Sequence, residues 1–157
     1  MKNSLVITIA AVALIGGYLA WPKTEIPSDG KVAAIQMILH KSPTCGCCEI
    51  YGAYMRKRGY EVDENNMSDA SLSVLKRDSG IPREVWSCHT SEIGGYIVEG
   101  HIPNEAVEKL LAEKPDIKGI GMAGMPSGSP GMPGPKTDFM IYEINKDGTL
   151  GDLFMQM

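Results

Sequence analysis

The run Val32-Ala33-Ala34-Ile35-Gln36-Met37-Ile38-Leu39 leads through His40-Lys41 into Ser42-Pro43-Thr44-Cys45-Gly46-Cys47-Cys48-Glu49. Its first eight residues are mostly apolar, as in a buried strand, and a helical pattern follows the cysteines. A strand therefore turns into a helix at the thiols. Such a junction leaves backbone N–H groups unpaired, and Thr44 is of the residue type that caps a helix. That would place Cys45 in the first turn, where the positive end of the helix dipole favours a thiolate. Cys45 is therefore expected to ionise most easily.

Spacing sharpens the expectation. Cys45 and Cys48, three apart, share a helical face and can meet at one ligand or in one disulfide. On a regular helix Cys47 is turned by roughly 200° from Cys45 and roughly 100° from Cys48. Either it points elsewhere, or the sulfurs bridge more than one metal ion. Free cysteine often serves as a small buried hydrophobe, but three such residues in four positions argue against that use. The fourth cysteine is Cys88. Clustered thiols suit redox or metal chemistry better than the stapling of distant loops.

The chain has 157 residues, room for one domain and an N-terminal segment. A net charge of −4 gives no reason to expect nucleic acid. Residues 5–21 are a mostly apolar run of 17 without a charge, reaching roughly 25 Å as a helix, with Tyr18 and Trp21 suited to a membrane interface. Residues 1–21 are read as a signal peptide or membrane anchor. Cleavage after Ala20 would put bulky Tyr18 where a small residue is wanted, which favours an uncleaved anchor. Lys2 on the inner side sends the rest outward, into the periplasm. Residues 22–30 read as a linker and 31–157 as the folded domain.

Further along, residues 50–58 continue the helix to Arg56-Lys57-Arg58-Gly59, a basic end closed by glycine. Residues 60–64 alternate as a second strand, and Ser68 caps a helix that ends at Gly80. The order strand, helix, strand, helix with short connections predicts a parallel pair. Gly94-Gly95 suits a tight turn, residues 96–98 a strand and residues 103–114 a helix closed by Pro115. Residues 119–135 hold six glycines, four prolines and three methionines, and are expected to be an irregular loop. Residues 139–144 and 149–154 flank Asn145-Lys146-Asp147-Gly148 as a final hairpin.

The stretches Lys41-Ser42-Pro43-Thr44-Cys45-Gly46-Cys47-Cys48, Ser87-Cys88-His89-Thr90, Gly94-Gly95-Tyr96 with Glu99-Gly100-His101, and Gly124-Met125-Pro126 with Gly128-Ser129-Pro130-Gly131-Met132 resemble the CopG-type family of exported bacterial copper-resistance proteins. The resemblance runs from about residue 31 to the end. It implies an α/β fold, a thioredoxin-like mixed sheet flanked by helices. It also implies that Cys45, Cys47, Cys48 and Cys88 hold copper. The proline that usually precedes the third strand of thioredoxin-like proteins is absent, and His89 takes its place beside Cys88. That substitution makes ordinary disulfide exchange a poorer description and leaves room for metal.

Among the histidines, His101 lies in a matched motif and is taken as a further metal ligand. His89 could bind metal or tune the Cys88 thiol, and His40 is expected to be structural. Met122, Met125 and Met132 carry soft thioethers that could reach Cu(I), or else cover apolar surface. Capture of Cu(I), by several bridging thiolates and for more than one ion, is the leading expectation, with periplasmic copper-handling proteins as partners. A thiol-disulfide oxidoreductase using Cys45 and Cys48 is the alternative, but it leaves Cys47 and Cys88 unused. A four-cysteine zinc site fits the count but not the crowding of Cys47 beside Cys48.

Overall fold

The computed structural model describes residues 34–157. The signal or anchor segment 1–21, the linker 22–30 and the start of the expected first strand lie outside the described residues. Among the described residues no helix is long and apolar enough to cross a membrane.

The chain runs β1 (Gln36–Lys41), α1 (Gly46–Lys57), β2 (Glu61–Asn66), α2 (Asp69–Asp78), a 3₁₀ turn (Arg83–Val85), β3 (His89–Ile93), β4 (Tyr96–Glu99), α3 (Asn104–Glu113), β5 (Gly119–Gly121), β6 (Met140–Ile144) and β7 (Leu150–Gln156). The strands form one mixed sheet of seven in the order β2-β1-β3-β4-β5-β6-β7. β1 and β2 are parallel, as their connection through a helix requires, and β3 lies antiparallel on the other side of β1.

Alternation along the strands divides the sheet into two faces. Met37, Leu39, Val98 and Ile120 point to one face and form the main core with Tyr51 and Met55 of α1 and Ala106, Val107 and Leu110 of α3. Burying each of the larger side chains contributes about 1.5–3 kcal/mol. Thr90 and Glu99 point to the other face, where Lys76 of α2 meets them. A smaller cluster of Ile81, Val85 and Ile144 extends that layer.

Local signals end the helices where the composition suggests. Basic Arg56 and Lys57 occupy the last turn of α1, and Gly59 follows at φ +93°, a left-handed conformation that glycine adopts without cost. Ser68 caps α2, its hydroxyl accepting the Ser71 N–H at 3.1 Å.

The structure corrects the expectation for residues 119–135. Gly119–Gly121 is a strand within the sheet, parallel to β4 and antiparallel to β6. Glycine is depleted in strands, so Gly-Ile-Gly carries no strand signal. The structure nevertheless requires glycine here. A Cβ at Gly119 would run into the Ile97 carbonyl, and one at Gly121 would lie 2.8 Å from Val85. The polar sequence of β3, His-Thr-Ser-Glu-Ile, likewise carries no strand signal of its own, and only the resemblance implies a strand at His89.

Gly119→Ala is expected to lower the unfolding free energy by about 3 kcal/mol, the upper end of the overpacking range, because the obstacle is backbone and cannot move aside. Urea denaturation checks it, and a loss below about 1 kcal/mol would contradict the packing described.

Candidate metal centre

The turn between β1 and α1 starts with a hydrogen bond from the Cys45 N–H to the Ser42 carbonyl at 3.1 Å. The N-cap is Cys45 and not Thr44, whose hydroxyl lies 3.2 Å from that of Ser42. With ψ at 89°, Cys45 stands outside the helix. Helical rotation therefore does not separate it from Cys47, and their sulfurs approach to 3.4 Å. Of the two alternatives for Cys47, the one in which it points elsewhere is set aside by this one non-helical residue.

Cys88 arrives from across the sheet. Lys41, at the end of β1, pairs with His89, at the start of β3, so the residue before His89 must face the cysteine turn. Its sulfur lies 3.4 Å from that of Cys48 and 3.9 Å from that of Cys47. All four sulfurs fall within 4.8 Å of one another. Cys45 and Cys48 are joined as a disulfide, with Cα atoms 5.3 Å apart, while Cys47 and Cys88 are free. As half of a disulfide, Cys45 has no thiol to ionise in this state.

The two later histidines converge on Cys88. Gly100 takes φ +87° and donates its N–H to the His89 carbonyl at 3.2 Å, which directs His101 back towards the thiols. His101 Nε2 lies 3.0 Å from Cys88 Sγ, and Nδ1 lies 2.7 Å from the Pro130 carbonyl. A carbonyl only accepts, so Nδ1 carries the proton and Nε2 presents its lone pair to the sulfur. His89 Nδ1 is 3.5 Å from the same sulfur, and its buried Nε2 has no hydrogen-bond partner among the described residues. Cys88, His89 and His101 thus form a second group of ligand-type atoms that shares Cys88 with the first. The Tyr51 ring packs against both imidazoles and donates its hydroxyl to the Ile102 carbonyl.

Burial governs the charges. It pushes the Cys88 thiol up to about 12, with the neighbouring Cys47 adding to the rise. It holds His89 well below the usual imidazole range, helped by His101 and Lys76, and lowers His101, where the hydrogen bond to Pro130 pulls partly the other way. The metal-free pocket at neutral pH therefore holds a protonated Cys88 thiol beside two uncharged imidazoles. Soft sulfur and borderline imidazole donors of this kind suit a soft metal ion over a hard one.

The remaining candidates separate by position. His40 is fixed by Glu92 at 2.8 Å and Asn65 at 3.1 Å on the sheet, in keeping with a structural role. Met122 is packed in the main core, whereas Met125 is half exposed. The methionine-rich loop approaches the site through the backbone of Pro130 and Gly131. Gly131, at φ +89°, sits so close that a Cβ would lie 2.7 Å from the Cys47 carbonyl and 3.3 Å from His101 Nδ1. The roles of Tyr51, Pro130 and Gly131 escaped sequence reasoning. Pro130 and Gly131, in a motif that accompanies the thiol motifs, offered a signal, and Tyr51 offered none.

A family model described as a protein of unknown function, DUF411, matches residues 85–132, which span Cys88, His89, His101 and the covering loop. No curated protein matches the chain. Two solved structures, forms 1 and 2 of a copper resistance protein copG, are each 29% identical with a TM-score of 0.71, and the alignment covers 79% of this chain and 98% of that one. The resemblance to CopG-type proteins drawn from the motifs is borne out by these matches.

In the metal-free protein with the Cys45–Cys48 disulfide intact, Cys47 and Cys88 are the free thiols, and Cys88 is expected to react with iodoacetamide more slowly than Cys47 at pH 7.5. Its thiol stays protonated until the pH nears its raised value, so its rate should climb by about tenfold per pH unit through this range. Peptide mass mapping reads both sites, and equal rates would contradict the electrostatics described.

Proposed function

We propose that this chain captures Cu(I) in the periplasm, holding it through Cys45, Cys47, Cys48 and Cys88 on a thioredoxin-like platform, with His101 as a further ligand. The supporting observation is the convergence of four sulfurs within 4.8 Å at a helix entrance. Thiolates this close can bridge, so more than one copper ion per chain is part of the proposal. Thiolates favour Cu(I), and the similarity to copper resistance proteins points the same way. Export would be directed by residues 1–21, and the captured ion would be sequestered or passed to other periplasmic copper-handling proteins.

Loading on four thiolates requires the Cys45–Cys48 disulfide to be opened first. Two electrons and two protons from a thiol-class reductant convert it to two thiols. Metal then displaces the thiol protons. Cys88 is protonated below about 12 and deprotonated in the complex, so each binding event releases its proton.

A second function, thiol-disulfide oxidoreductase, is favoured by that same disulfide, which joins a C-x-x-C pair at a strand-to-helix turn. Cys45 would attack and Cys48 would resolve. It ranks below copper capture because Cys47 and Cys88 would then crowd the pair without a task.

Anaerobic reduction, incubation with Cu(I) and removal of excess metal should leave more than one copper per chain. Cys45→Ser and Cys88→Ser should each weaken retention by roughly tenfold or more. Affinity should rise with pH between 6 and 8, by up to about tenfold per unit for the Cys88 proton. Absence of retained copper would end the proposal, and zinc taken up in preference from a mixture would redirect it. Disulfide reductase activity surviving Cys47→Ser with Cys88→Ser would favour the second function.

A further inference from the structure

Lys76 of α2 and Glu99 of β4 form an ion pair almost wholly out of water, with 3% and 0% of their side chains exposed. Withdrawing two charges from solvent is costly, and their attraction repays it only where their remaining donors and acceptors are also used. Here they are. Glu99 Oε1 accepts from Lys76 Nζ and from the Ser87 N–H, the latter at 2.7 Å. Glu99 Oε2 accepts from the Thr90 hydroxyl at 2.7 Å, and Lys76 Nζ also donates to that hydroxyl at 3.0 Å.

Ser87 and Thr90 flank Cys88 and His89, so one carboxylate holds the Ser87 backbone N–H on one side of the residue that supplies the fourth sulfur and the Thr90 hydroxyl on the other. The sheet does not do this unaided. Pairing between β3 and β4 begins at Thr90 with Glu99, two residues after Cys88. The carboxylate extends the hold of β4 back to Ser87, and a hydrogen bond from the Ser87 hydroxyl to the Gly124 carbonyl adds to it. We propose that Glu99 is a positioning residue for the Cys88 thiol, with Lys76 and Thr90 fixing its carboxylate. An apolar trio of similar volume could fill the space, but it would offer no acceptor to Ser87. The use assigned to this positioning rests on copper capture, whereas the positioning itself is geometric and can be tested without metal.

In a protein carrying Cys45→Ser and Cys47→Ser, the two remaining thiols are Cys48 and Cys88, whose sulfurs lie 3.4 Å apart. Diamide takes one hydrogen from each thiol as the S–S bond forms, and is itself reduced to the hydrazine. The rate of closure reports how well Cys88 is aimed, since a misplacement of about 1 Å can slow such a step by about a hundredfold. Thr90→Val should slow closure by at least about tenfold. Thr90→Ser, which keeps the hydroxyl, should bring it back to within about twofold of the parent. Glu99→Leu combined with Lys76→Met, which removes both charges and the acceptor for the Ser87 N–H, should slow it as Thr90→Val does. Thermal unfolding identifies which variants fold, and iodoacetamide labelling of Cys88 separates aim from exposure. Unchanged closure in a folded Thr90→Val protein overturns the proposal. So does loss of folding in both Thr90→Val and the double variant, because the network would then be purely structural. If the parent protein with all four cysteines retains no copper while closure still depends on Thr90, positioning stands and copper capture falls.

Discussion

The antiparallel pairing of β1 with β3 is the constraint on which the site depends. Its register sets Lys41 opposite His89, and that single match brings residue 88 to the turn that carries Cys45, Cys47 and Cys48. A shift of one residue would turn Cys88 to the opposite face of the sheet. The register is held by burial on both faces, Met37 and Leu39 towards α1 and α3, Thr90 towards Lys76 of α2. Sulfur chemistry at the helix entrance is thus a consequence of hydrophobic packing about two residues further down the strands.

Burial also sets the chemical character of the pocket. Packing around Tyr51, His89 and His101 removes water, and the loss of solvation keeps Cys88 protonated and both imidazoles neutral. Neutral imidazoles and thiols can coexist at these distances without mutual repulsion. Four thiolates could not, unless cations sat between them. The loop at Pro130 and Gly131 contributes by closing over the Cys47 carbonyl and His101, a position that a side chain at residue 131 would forbid.

Much of this was legible in the chain, and the exceptions have identifiable causes. Apolar runs and caps located β1, α1, α2 and α3, since those signals act over one turn or one strand. The cysteine cluster and Cys88 could be connected through the family resemblance, and the structure brings them together. Thr44 failed as the cap because its hydroxyl is turned to Ser42, a choice between two local partners that sequence does not rank. β5 failed because Gly119 and Gly121 are required by the nearness of Ile97 and Val85, contacts made across the sheet. β3 is polar because two of its residues, His89 and Thr90, serve buried polar contacts instead of an apolar core. In β5 and β3 a long-range contact outweighed a local preference.

The state of the sulfurs connects these points. A disulfide between Cys45 and Cys48 and metal held by all four sulfurs are competing uses of the same atoms, because a disulfide sulfur has no proton to give up and binds metal poorly. The oxidised pair leaves Cys47 and Cys88 3.9 Å apart, beside His101. An arrangement intended only to cycle one disulfide gains nothing from a second pair of thiols at this distance, since thiolate attack on the bridge would shuffle it among four positions. An arrangement intended for metal gains from all of them, because each added thiolate raises the preference for a soft ion and each extra sulfur within reach can bridge. The density of sulfur around the bridge therefore favours metal capture over disulfide exchange on chemical grounds.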